Sequence, residues 1–280
     1  MLTALSVRIG ESPRDKTRLA VPARTILARA AAAGFDGISV RASAVSIDSP
    51  IEEVVAFRSA LDEFGLRASM VTGNLALAQN NAAAPDMLRN ITPHLDLAQA
   101  LGANLVRVML HREDDIGFAQ RAADEARERG LTLTQQCHWG SLAETVETAV
   151  ALVQSVGREN FGLTLEPANL AACGSRYGAH EVALLAPYLR NVYFQNVTLE
   201  ADAPVRFPTR ARGDVGVRFV PLASTLGLDV SGMLSGLAQA RYDGWFTIHQ
   251  PLLESQGLED AIEDAAAFLR NAGVANRDCC

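Results

Sequence analysis

One recurring junction constrains this chain more than any other feature. A helix-like segment ends at a glycine, and a short apolar run follows directly. The junction reads AAAGFDGISV (31–40), DEFGLRASMV (62–71), QALGANLVRV (99–108) and RERGLTLTQQ (127–136). The glycines are Gly34, Gly65, Gly102 and Gly130, so the unit is roughly thirty residues, the length of one strand–helix module. Glycine at such a place supplies the left-handed backbone that stops a helix. The apolar runs are short and continuous, as in parallel strands buried on both faces. Helix alternating with strand at this spacing means repeated βα units.

The pattern predicts strands near 4–8, 36–41, 67–72, 104–110, 131–137, 161–166, 190–197 and 245–250. It predicts helices near 22–33, 51–64, 85–101, 115–128, 141–156, 179–188, 230–240 and 258–271. Ser49 before Pro50, with Glu53 following, reads as a helix start, and Ser141 with Glu144 reads as a capping box. Eight units suggest a closed (β/α)₈ barrel, the α/β class known as the TIM barrel, rather than an open doubly wound sheet. No GxGxxG follows the first strand, which lowers the case for a dinucleotide-binding open sheet. Segment 198–229 breaks the rhythm and carries Pro204, Pro208, Gly213 and Pro221. It is expected as a long loop over the barrel mouth.

A single barrel suits the 280 residues. We expect it to span 1–274, with 275–280 a disordered tail. The net charge of −7 and the lack of a basic patch argue against nucleic acid as a partner. Lys16 is the only lysine. The start MLTALSVRIGESPRDK lacks a signal-peptide pattern, and no apolar run is long enough for a membrane span. Cys137, Cys173, Cys279 and Cys280 form no CxxC pair, which fits reduced thiols and a cytoplasmic protein.

Polar residues collect where the later strands end: TQQCHWG (134–140), LTLEPAN (163–169), NVYFQNV (191–197) and WFTIHQP (245–251). Alternation puts Gln136 with His138 on one face of strand five and Tyr193 with Gln195 on one face of strand seven. Glu166 and His249 end their own strands. Strand C-termini in such a barrel converge on one mouth, so these groups meet there. Read singly, each has a bland alternative: a satisfied amide, a turn-capping carboxylate, a hydrogen-bonded core histidine. Burying all four without mutual partners would cost several kcal/mol. Arg107, opposite in parity to Val106 and Val108, together with Arg212 of the long segment, could bind an anionic or hydroxyl-rich ligand. Arg41, Arg206 and Arg210 are further cations near predicted strand ends or in that segment. Trp139 could stack on a sugar face.

The sequence resembles the sugar-phosphate isomerase/epimerase group of xylose-isomerase-like TIM barrels. The resemblance rests on GFDGISV (34–40), LDLAQALGANLVRV (95–108), EARERGLTLT (125–134), LTLEPANL (163–170) and RYDGWFTIHQP (241–251), and spans most of the chain. It implies one divalent metal, held in the family by a strand-five Glu, a strand-six Asp, a strand-seven His and a strand-eight Glu. This chain departs at each place: Gln136, Glu166, Tyr193 with Gln195 close by, and His249. The resemblance therefore implies an altered metal set of Gln136, Glu166, Gln195 and His249, for Mn²⁺ first, with Co²⁺, Fe²⁺ or Zn²⁺ as other ions. His138 and Asn169 keep polar positions for substrate, joined by Arg107, Arg212 and Trp139. Glutamine cannot exchange a proton at neutral pH, so the two-carboxylate proton relay loses its strand-five member. His249 and Glu166 remain as the catalytic pair.

Three functions follow from that resemblance. One is a metal-assisted isomerase or epimerase of a small sugar, keto-sugar or cyclitol. Another is a lyase or dehydratase on the same scaffold, and the third is a non-catalytic binding protein with a decayed metal site. In each the partner is a small sugar-like molecule, with no membrane involved, and the family's habit suggests a homo-oligomer.

Overall fold

The computed structural model describes residues 1–11, 15–254 and 256–274. Eight parallel strands close into a barrel: β1 (Leu2–Ser6), β2 (Gly37–Arg41), β3 (Arg67–Thr72), β4 (Leu105–Val108), β5 (Thr132–Gln136), β6 (Phe161–Leu165), β7 (Leu189–Phe194) and β11 (Trp245–Ile248). The order around the barrel is β1-β11-β7-β6-β5-β4-β3-β2. Closure is explicit, because β1 pairs with β2 on one side (Leu5 opposite Ile38) and β11 on the other (Leu5 opposite Ile248). Helices follow the strands, among them Ala23–Ala32, Ile51–Glu63, Asp115–Glu128 and Leu258–Asn271. The glycines that end the early helices, Gly34, Gly65, Gly102 and Gly130, all have φ between 68 and 85°, the region a side chain resists.

Strand parity sorts the side chains. Val106 and Val108, Leu163 and Leu165, and Val192 and Phe194 belong to the large apolar cluster under the helices. The residues between them face the barrel axis. There Met70, Leu105 and Tyr193 form a small apolar plug. Polar inward groups pair across strands: Thr134 Oγ1 lies 3.0 Å from Thr164 Oγ1, Ser39 Oγ 2.7 Å from the Tyr193 hydroxyl, and Thr247 Oγ1 donates to Asn191 Oδ1 at 2.9 Å. Pairing of this kind removes the penalty for burying hydroxyls.

Several expectations need correction. Segment 198–229 is not a loop. It holds most of a three-stranded antiparallel sheet, β8 (Val197–Leu199), β9 (Val205–Thr209) and β10 (Gly213–Phe219), in the order β8-β10-β9. Pro208 is tolerated because β9 is an edge strand. Val197, Phe207 and Val217 of this sheet pack on Ala168 and Ala172 of the short helix Pro167–Ala172. The helix expected over 85–101 is a 3₁₀ segment, Ala84–Arg89, then a helix Thr92–Leu101 with Pro93 in its first turn. Ser141 does not cap a helix, since the helix begins at Val146 with a Thr145–Thr148 box. Glu144 accepts instead from the backbone N–H of Gly140 and Arg210. Ser49 accepts from the Ser46 N–H and makes no cap for Ile51–Glu63. The first strand is Leu2–Ser6 rather than 4–8. The tail 275–280 lies outside the described residues.

Strands approach closely where glycine leaves room. A Cβ at Gly162 in β6 would sit 2.4 Å from the Tyr188 carbonyl oxygen and 2.6 Å from Arg190 Cγ. Gly162→Ala should therefore destabilise the fold by about 1–3 kcal/mol in urea unfolding. A change within about 0.5 kcal/mol would mean that the start of β7 yields freely.

Candidate active site

Residues near or beyond the C-terminal ends of the barrel strands line one cavity of about 40 Å³. Gln136 ends β5, Glu166 follows β6, Gln195 follows β7 and His249 follows β11, and all four line it. His138, Trp139, Asn169 and Arg107 line it too. Arg212 does not. Its Nη1 reaches the carbonyl oxygens of Ala171 and Ala172 at 3.4 and 3.3 Å, so its charge sits at the end of the short helix, outside the cavity. Arg210 lies on the barrel rim, donating to the carbonyls of Gly140 and His111. Arg206 bonds backbone carbonyls of its own sheet, those of Ala201 and Asp214.

Glu166 is the centre. It is fully buried, and its carboxylate accepts from three side-chain amides: Gln136 and Asn169 on Oε2, and Gln195 on Oε1. Burial pushes its pKa up to about 7, while the charges of Arg8, Arg107 and Arg41 pull the other way. A carboxylate offers about four lone-pair sites, so three amides leave room for one proton. Asn169 also donates to the Cys137 carbonyl at 3.0 Å. The oxygens Gln136 Oε1 and Asn169 Oδ1 are buried without a partner among the described residues.

His249 stands on the other side of the barrel seam. Its Nδ1 lies 3.0 Å from Ser6 Oγ, and its ring stacks on Tyr193 at 4.0 Å and 6°. Burial, then the charge of Arg8, hold its pKa well below 6.5, so the imidazole is neutral at pH 7. His138 is neutral for the same first reason, and its Nδ1 lies 2.7 Å from the Trp139 carbonyl oxygen. Trp139 sits between His138 and Phe207, at ring distances of 4.5 and 5.6 Å. The β9 residue Phe207 thus forms part of the cavity roof.

Sequence reading missed several lining groups. Arg8 lies in the 3₁₀ turn Val7–Gly10 after β1, and its Nη1 donates to Gln195 Oε1 at 2.8 Å and to the His249 carbonyl at 3.4 Å. Burial and the charge of Arg41 lower its pKa to about 10. The signal for it was parity: Ser6 points inward, so Arg8, two residues on, reaches the same mouth. Asn80 lines the cavity at a left-handed turn (φ 54°), where it accepts from Arg107 Nη2. Nothing in the sequence marks that contact. Exposed Lys16 stands at the rim. A larger groove of about 680 Å³ adjoins the cavity, shares Arg8, Lys16 and Phe207 with it, and is walled by Val205, Phe219 and Leu252.

Among the described residues no group of three or more His, Cys, Asp or Glu is placed to hold a divalent ion. The two glutamine amides turn their N–H groups to Glu166, Gln195 gives its oxygen to Arg8, and His249 gives Nδ1 to Ser6. Glu166 is the one carboxylate among the lining residues, set beside Arg8, Arg41 and Arg107, while Glu11 behind them pairs with Arg41. Gln136 Oε1, one Glu166 lone pair and His249 Nε2 are what remains free of the four, with a single negative charge among surrounding cations, and that does not fit a resident divalent cation.

Arg41 is spoken for by Glu11. Its Nε donates to Glu11 Oε1 at 2.6 Å, and both residues are buried. Burial raises the Glu11 pKa, but Arg41 and Arg8 pull it down further, to a net value below 4.5. Its ionised form therefore stabilises the fold fully above pH 4.5, and that stability is lost as pH falls through the lower folded value. Glu11→Gln should cost about 3–5 kcal/mol at pH 7, because it leaves Arg41 buried without its counter-charge. The variant should also show a shallower loss of stability below pH 4.5 than the wild type in denaturant titrations. Equal acid slopes would show that the pair does not govern acid stability.

Comparison with known proteins agrees with this architecture. A family model described as "Xylose isomerase-like TIM barrel" matches residues 27–272. No curated protein matches the sequence. Among solved structures, a probable 3-DHS dehydratase from Bacillus anthracis superposes with TM-score 0.71 at 14% identity, covering 99% of this chain and 100% of its own. A D-allulose 3-epimerase from Methylomonas sp. gives 0.69 at 18%, covering 97% and 98%. A xylose isomerase-like TIM barrel protein from Mycobacterium smegmatis in complex with magnesium gives 0.68 at 19%, covering 98% and 97%. The chain spans 42% of the length of one longer match, a fusion of such a barrel with 4-hydroxyphenylpyruvate dioxygenase. No helix among the described residues is long and apolar enough to cross a membrane.

Proposed function

The chain belongs to the xylose isomerase-like TIM-barrel family, and from that premise we propose that it moves a proton next to the carbonyl of a small, hydroxylated, sugar-like molecule. The reading is an isomerase or epimerase of a keto-sugar or cyclitol. The observation that carries it is Glu166: a carboxyl buried at the cavity, with a pKa of about 7 and one lone-pair site open. A group with that pKa takes and returns protons at neutral pH.

The other residues take supporting roles. Gln136, Gln195 and Asn169 fix the Glu166 carboxylate through its other lone pairs. The unpartnered oxygens of Gln136 and Asn169 suit substrate hydroxyls, which would donate to them. Trp139 offers an apolar face to the ring or chain, with Arg107 and His138 beside it. His249 is neutral, with Nδ1 held by Ser6, so its Nε2 is the ring nitrogen left for a ligand. Isomerisation needs Glu166 to shuttle a proton between neighbouring carbons while the hydroxyl proton passes from one substrate oxygen to the other. Epimerisation needs a second group on the opposite face, and His249 is the titratable residue for it. Magnesium is said of the Mycobacterium smegmatis relative. The expected Mn²⁺ on Gln136, Glu166, Gln195 and His249 has no part in these steps, since Gln195 gives its oxygen to Arg8 and the surrounding charge is positive. Elimination of water by the same proton removal is the second reading, and the shared fold of a probable 3-DHS dehydratase favours keeping it.

The test is proton exchange in D₂O, followed by NMR, over a panel of keto-sugars and cyclitol ketones. The exchange rate should rise with pH through about 7 as Glu166 ionises. Glu166→Gln, checked for unchanged melting, should slow it by about 100-fold or more. Product analysis separates isomer from dehydrated product. A panel with no exchange at all would remove this reading.

A further inference from the structure

We propose that the guanidinium of Arg8 is the resident cation of this barrel mouth, seated where a divalent ion would act, and that it binds the oxyanion of the substrate. The inference deepens the proton-transfer reading and partly rests on it.

The placement comes first. Arg8 is the first-turn residue after β1, and its Nη1 bridges Gln195 Oε1 and the His249 carbonyl, the ends of β7 and β11. Those are two of the positions at which the sequence resemblance sought metal ligands. The side chain is clamped at two oxygens and flanked by the Phe219 ring, 5.3 Å from Cζ to centroid. A cation held this way loses little freedom when a ligand arrives.

Charge balance comes second. Arg8, Lys16, Arg41 and Arg107 line the cavity, against Glu166 alone. Glu11 neutralises Arg41 from behind. With Glu166 ionised, the lining keeps two positive charges without a counter-charge. Such a mouth repels a divalent cation and attracts an anion. The ligand class is thus a small molecule that is anionic or becomes so: a hydroxy- or oxo-acid, or a carbonyl compound on its way to an enolate.

The step balances without a metal. Glu166 takes the proton from the carbon beside the carbonyl. The C–H electron pair forms the carbon–carbon double bond, and the carbonyl π pair moves onto oxygen. That oxyanion accepts hydrogen bonds from Arg8. Return of the proton to the same carbon from the other face restores that carbonyl; return to the former carbonyl carbon leaves the carbonyl on its neighbour, once the hydroxyl proton there has passed to the first oxyanion. A guanidinium serves here as preorganised donor and charge together.

The experiment uses oxalate, a planar dianion resembling an enediolate, titrated calorimetrically into full-length protein stripped with a chelating resin. The wild type should bind oxalate without added metal, and added Mn²⁺ or Mg²⁺ should not tighten it. Arg8→Met should weaken oxalate by about tenfold or more, and Arg8→Lys by less, because lysine keeps the charge but not the fork. Melting curves establish that the variants fold; if Arg8→Met does not, Arg8→Gln replaces it. Oxalate binding that requires added metal, or binding equal in wild type and Arg8→Met, overturns the proposal. Arg8-dependent binding with no proton exchange on any panel compound would sustain this inference while removing the proton-transfer reading. Exchange that depends on a metal would do the reverse.

Discussion

A carboxylate buried in a parallel barrel must be satisfied from inside the barrel, and Glu166 shows how this chain does it. Three amides from β5, β7 and the Pro167–Ala172 helix converge on its two oxygens. Each amide is placed by strand parity or by the helix that follows β6. Arg8 then holds the far end of one amide, and Ser6 holds the imidazole beyond it. The result is a chain of donors and acceptors across the mouth, with the oxygens of Gln136 and Asn169 left open at its edge. Such a chain is stiff, because losing any member leaves a buried group unsatisfied.

Much of the architecture was legible in the sequence because the period was regular. Glycine-ended helices feeding short apolar runs gave the βα units, and inward parity put Gln136, Glu166, Gln195 and His249 at one mouth. What the sequence hid has physical reasons. The β9–β10 hairpin follows a period of two, V-R-F-P-T and D-V-G-V-R-F, but Pro208 and a charged face disguised it. Arg8 lies in a 3₁₀ turn, so its one signal is its place two residues after inward Ser6. Arg212 stands in the long segment that covers the mouth, but its contacts are backbone carbonyls of the helix beneath.

The charge arrangement separates fold from chemistry. The fold is that of barrels whose members include a magnesium complex, an epimerase and a probable dehydratase. A shared scaffold does not fix which cation works at its mouth. In this chain the mouth carries two glutamine amides, one carboxylate and the Arg8 guanidinium, and the last is seen only when the turn after β1 is set beside the residue that follows β7.

The small antiparallel sheet is fastened at two separate ends. At one, Glu144 takes the Arg210 N–H while the Arg210 guanidinium takes the carbonyls of Gly140 and His111. At the other, the Asn196 side chain binds the backbone of Pro221, Leu222, Ser224 and Leu228. The partners on the far side of both fastenings are mostly main-chain atoms, which stay the same whatever side chain a position carries. The roof can therefore diverge in sequence without coming loose. Phe207, which it lowers into the cavity, becomes an interchangeable part: a lineage could resize the chamber there one residue at a time, leaving the barrel and its charged floor as inherited.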